Sequence, residues 1–174
     1  MSEADHISRV LSGLFSNPQN GWFPPFTDAT ARLNAAQAAW VPSPGMNSAW
    51  ALANHVRFWQ EVVLLRLRGE PVDRQGLGAE DGWPPPGDAA DEPAWREAGQ
   101  RAIAVNTELA DLVAGLSAED LARPTQEGKA TRWQVLHGLI GHTSYHTGQI
   151  VTVRRLQGSW IVDWRERLAV GREE

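Results

Sequence analysis

Residues 142 to 150 read HTSYHTGQI, with two histidines four positions apart. A helix turns about 100° per residue, so four residues return to within ~40° of the start. His142 and His146 then share a face and can offer two imidazoles to one metal ion. The pair is not the zincin motif, which needs Glu directly after the first histidine; Thr143 stands there. A protease would lack its general base. Catalytic metal sites commonly use three protein ligands plus water, so a third ligand is sought among His6, His55 and His137. His55 is the best candidate. It shares a helical face with Leu52, Trp59 and Val62, and that face should look into a core. A histidine there needs a hydrogen bond or a metal. His137 lies nine residues before His146, about 180° around the helix, so the two cannot face one ion. His6, near the start of the chain, reads as surface.

Around this stretch other residues invite a role. Gln149 is seven residues after His142, on nearly the same stripe. It either bonds a ligand or a metal-holding group, or satisfies a polar group between helices. Gly148 costs roughly 1 kcal/mol against Ala in mid-helix, which points to a close helix–helix approach. Tyr145 reads as packing. Trp59 either walls a cleft or fills the core. Arg154 and Arg155 read as a solvated or salt-bridged helix end, with anion binding as the alternative. Trp83, in a loop, is a candidate lid.

The elements that must position these residues are helical. Residues 3–15 carry Ile7, Val10, Leu11 and Leu14 at helical spacing. Residues 28–40 are rich in Ala and read as a shorter helix. Residues 48–69 form a long one, with Asn47 as N-cap and Gly69 as stop. Residues 70–91 crowd Gly and Pro into a long loop, of the kind that is often functional or mobile. Residues 92–116 are helical, with Pro93 in the first turn. SAEDLA makes a short turn. Thr131 and Gln134 form a capping-box pattern opening a last helix from about 132 to 156, ended by Gly158. Residues 160–171, with Trp160, Ile161, Trp164 and Leu168, read as a docked tail. No strand pattern or internal repeat emerges. The expectation is all-α: one domain over 1–174, a four-helix bundle with one or two extra short helices.

Composition agrees. The chain has 174 residues, enough for one core, with 42% hydrophobic and 21% charged residues. It has no Cys, so a transition-metal site must use His, Asp, Glu or water. That absence fits a reducing cytoplasm. No signal peptide or membrane span is expected. The net charge of −5 argues against nucleic-acid binding. Nine Trp against one Tyr suggest flat core contacts or an aromatic-lined cleft.

Two segments together resemble a known family. ANHVRFWQEVVLLRLRGEP, from residue 53, precedes GLIGHTSYHTGQIVTVRRLQGSW, from residue 138. They look like the DinB-like (DinB/YfiT-like) superfamily of four-helix bundles. PSPGMNSAW, before the first segment, adds to the likeness. The family pattern is one His in the second bundle helix, then HxxxHxGQ in the last. Here these are His55, then His142 and His146 with Gly148 and Gln149. The resemblance implies a three-His site for a divalent transition metal. Zn²⁺ is the expected ion, with Ni²⁺, Fe²⁺ and Mn²⁺ as alternatives. Such a site serves a hydrolase that activates water, or a thiol-dependent transferase with a small thiol co-substrate, acting on a small molecule. The alternatives are a non-catalytic metal- or small-molecule-binding bundle, related to stress, and a helical interaction module whose histidines only pack. The resemblance also implies a homodimer.

Overall fold

The computed structural model describes residues 1–16, 22–125 and 130–160. The tail expected around Trp164 and Leu168 lies outside them. Seven helices and no strand occur among the described residues. Four are long: α1 (Glu3–Ser16), α4 (Ala49–Arg68), α5 (Glu92–Ala114) and α7 (Arg132–Gln157). Three are short: α2 (Phe26–Thr30), α3 (Ala35–Ala39) and α6 (Ala118–Ala122). The long helices close a ring, α1 and α4 each packing on both α5 and α7. That is a four-helix bundle.

Helix ends follow local chemistry. Thr131 and Gln134 make the reciprocal capping box at the start of α7. Gly69 and Gly158 end α4 and α7 at φ 74° and 72°, left-handed conformations that a side chain would strain. The cap of α4 is Ser48 rather than Asn47; its hydroxyl accepts the Ala51 N–H at 3.1 Å. The helix expected over 28–40 is two short ones. Arg32, at φ 60°, breaks the run, and Asn34 starts α3 through a capping box with Gln37. These two helices face different pairs: α2 packs on α1 and α7, α3 on α4 and α5. One straight helix could not serve both.

Arg154 is buried rather than solvated. Its guanidinium donates to the carbonyls of Asp28 and Ala29 at 3.1 and 2.8 Å, and to that of Ser159 at 2.9 Å. It ties the end of α2 to the end of α7. Arg155 is exposed.

The core divides into two apolar clusters. One gathers Phe15, Phe26, Trp50, Leu52, Val56, Trp95 and Ile150. The other gathers Leu64, Leu67, Leu109, Leu121, Leu136 and Leu139. Along α7, His142 and His146 fall between the two, after Leu139 and before Ile150; on α4, His55 lies beside the first, between Ala53 and Val56. A polar layer is therefore sandwiched between apolar ones, where an unsatisfied imidazole would be costly.

Candidate metal centre

α4 and α7 bring three imidazoles to one place. Each of His55, His142 and His146 offers a ring nitrogen within 4.8 Å of those of the other two. Ring centroids are 4.9 Å apart for His55–His142, 4.6 Å for His55–His146 and 4.4 Å for His142–His146. His55 and His146 are buried and His142 half-buried. His137 is elsewhere: exposed, stacked on Trp133 at 3.8 Å, with Nδ1 on the Trp133 carbonyl at 2.9 Å. His6 is exposed on α1, as expected.

Two of the rings are held by their far nitrogen. His55 Nδ1 lies 2.5 Å from the Gly82 carbonyl oxygen. A carbonyl only accepts, so Nδ1 carries the proton and Nε2 presents a lone pair. His146 Nδ1 lies 2.6 Å from Gln149 Oε1, and Gln149 Nε2 donates to the Tyr145 hydroxyl at 3.1 Å. The amide's nitrogen is thus engaged, its oxygen faces the imidazole, and His146 Nε2 also keeps a lone pair. Of the two readings of Gln149, the geometry favours the one in which it holds a candidate ligand. Tyr145 is 63% exposed and ends this chain rather than packing in the core. The third ring differs: His142 Nδ1 is buried with no hydrogen-bond partner.

His55 Nε2 and His142 Nε2 are 3.0 Å apart. With a lone pair on the first, either a proton on the second or a shared cation must separate them. Two nitrogens in a tetrahedral zinc shell, each ~2.0–2.1 Å from the ion, lie ~3.3 Å apart. The observed spacing is within a few tenths of an ångström of that. The orphaned His142 Nδ1 and the pair of facing Nε2 atoms fit a group that coordinates an ion.

Burial also sets the protonation state. It pushes His55 down to about 4, helped by His146 and opposed by the Gly82 carbonyl and Asp81. Burial, then the other two histidines, push His142 down to about 4. Burial lowers His146 against the opposing bond to Gln149. All three are neutral at pH 7, the form that binds metals.

The loop after α4 straps over this layer. Trp83 stacks on His55 at 3.6 Å, nearly parallel at 12°. Trp59 stands edge-on to His55 and His142, at 6.3 and 6.2 Å. Gly82 is buried at φ 81°, and a Cβ there would come within 3.0 Å of the Trp59 ring. Only glycine lets this carbonyl reach His55. Asn54 Nδ2 donates to the Pro85 carbonyl at 2.8 Å and pins the strap further along. Trp83, read from the sequence as a candidate lid, lies against His55 in the cavity wall. Gly82 escaped the sequence reading; its signal is a lone Gly between Asp81 and Trp83. Gly148 was read as a close approach between helices, yet nothing lies within 4 Å of a Cβ built there. It is exposed, and no packing accounts for it.

A cavity of about 480 Å³ opens beside His55 and His142. Its walls include Trp59, Val63, Trp83, Val135 and Leu139, with Arg66 and Asp81 as the charged members.

No described helix is long and apolar enough to cross a membrane. No curated protein and no solved structure matches the chain. The family model of the DinB superfamily matches residues 26–150, which include all three histidines of the cluster. That span is well over half of the chain, and the chain belongs to the DinB superfamily.

Proposed function

We propose that this protein is a metal-dependent enzyme with His55, His142 and His146 as ligands of one divalent ion. It acts on a small molecule, as a hydrolase or as a thiol-dependent S-transferase. The observation that carries this reading is the convergence of three neutral imidazoles beside an apolar cavity. Three protein ligands with space beside them is the catalytic pattern; four would be the structural one. Zn²⁺ suits three nitrogens, and Ni²⁺, Fe²⁺ or Mn²⁺ are the alternatives. A divalent ion held there supplies Lewis acidity, which makes water or a thiol a nucleophile near neutral pH.

The chain's own groups do the rest. The Gly82 carbonyl and Gln149 Oε1 keep the protons of His55 and His146 on Nδ1 and aim Nε2 inward. Trp83 covers one face of His55 and keeps water off it. The cavity receives the substrate next to His142.

The test is a titration of cobalt-loaded protein with ethanethiol, followed by turnover assays on nitrophenyl acetate and on a thiol–electrophile pair. A sulfur-to-cobalt absorption band is expected, with turnover of one substrate set that vanishes in His142→Ala. Cobalt bound tightly with neither band nor turnover would instead indicate a non-catalytic binding protein.

A further inference from the structure

The cavity's walls say what kind of body it can hold. Two indoles and three aliphatic side chains, Val63, Val135 and Leu139, make most of the surface. A sugar-like or charged body would lose its hydration there without matching partners. The two charged members, Arg66 and Asp81, have opposite signs, so the walls add little net field of their own to that of an ion at the histidines, which acts on the head group. The volume of about 480 Å³ is right for a small organic molecule rather than a single water or an anion.

Gly138 adds an independent observation. It lies two turns into α7 and lines the cavity. Glycine in a helix interior costs about 1 kcal/mol against alanine. Crowding often explains such a residue, but here nothing lies within 4 Å of where its Cβ would be. Gly138 is exposed, and a side chain there would start in open space at the cavity wall. Its absence leaves the room beside His142 open.

We propose that this cavity seats an uncharged, ring-bearing apolar part of the substrate, with Gly138 as the residue that keeps the seat open. The reacting head group then lies at His55 and His142. Flat rings gain from the Trp59 and Trp83 indoles beyond their buried area. This inference rests on the three-His reading above and adds the class of substrate.

Zinc-loaded protein, with its metal content measured first, is titrated calorimetrically with acetohydroxamate and with benzohydroxamate. Both carry the same chelating head, so any difference in affinity belongs to the body. Benzohydroxamate is expected to bind on the order of 30-fold tighter. Gly138→Leu should retain zinc and acetohydroxamate binding, yet cut the preference to within about 3-fold. Gly148→Leu, on the same helix but away from the cavity walls, should keep the preference. Gly138→Ala is the smaller step and should lower it in part. Equal affinities in the wild type, or an undiminished preference in Gly138→Leu, would overturn the inference. Zinc absent from the wild type would overturn the metal reading itself, and that result is visible before any hydroxamate is added.

Discussion

Histidines line two cavities along α7, and the cavities are close in size. The one beside His55 and His142 holds about 480 Å³; the one lined by Glu3, His6, Val10 and His137 holds about 500 Å³. Volume does not distinguish them. In the second, His137 is exposed, its ring lies flat on Trp133, and its Nδ1 bonds a carbonyl of its own helix. In the first, His55 Nδ1 is held by a carbonyl from a distant loop, and its Nε2 faces another imidazole at 3.0 Å. Both histidines have a bonded Nδ1. What differs is where the other nitrogen points and whether water reaches it. Among the described residues, the only group of three or more His, Asp or Glu whose ligand atoms converge is the buried one.

The contrast can be broken at its strongest point first. His142→Ala removes a nitrogen from the converging group, and its metal affinity should fall by more than the ~10–100-fold typical of changes behind a ligand. Competition with a chelating dye measures this. The next effect down concerns the groups that hold Nδ1. Gln149→Leu leaves His146 Nδ1 without its acceptor, and Gly82→Ala forces a Cβ against Trp59. Each should weaken metal binding by ~10–100-fold while the circular dichroism of the helices stays unchanged.

Burial supplies a third, smaller test. His55 and His142 titrate at about 4 in the folded chain, against an ordinary 6.5. As the pH falls, the unfolded chain takes up protons first. Metal-free protein therefore keeps this part of its stability above pH 6.5 and loses it progressively as the pH drops towards 4. Urea midpoints across that range should fall, and less steeply in the double variant His55→Ala, His142→Ala. The smallest effect belongs to the other cavity. His137→Ala should leave metal affinity within about 2-fold of wild type, since its ring touches none of the three.

Much of the centre was legible because one helix fixes its own geometry. The four-residue spacing put His142 and His146 on one face, and the apolar neighbours of His55 put it inward. The same rule set His137 aside. Of the strap over the site only Trp83 was singled out; the hold of the Gly82 carbonyl on His55 was not legible, because residues 70–91 have no period to read and that contact forms only through tertiary packing. Arg154 misled for a related reason. A charge near a helix end usually meets water, but here the carbonyls of α2 replace it. The break at Arg32 hides in a run of good helix formers, although Asn34 and Gln37 already carried the spacing of a capping box. Gly148 looked like a contact and is not one.

The central claim is that three imidazoles hold a single ion and leave room beside it. Elemental analysis of tag-free wild-type protein, paired with zinc-edge X-ray absorption, tests it most directly. The account predicts about one ion per chain, with three imidazole nitrogens at ~2.0–2.1 Å and lighter exchangeable donors completing the shell. A chain that holds no ion after incubation with Zn²⁺, or one whose zinc sees fewer than three imidazoles, would contradict it.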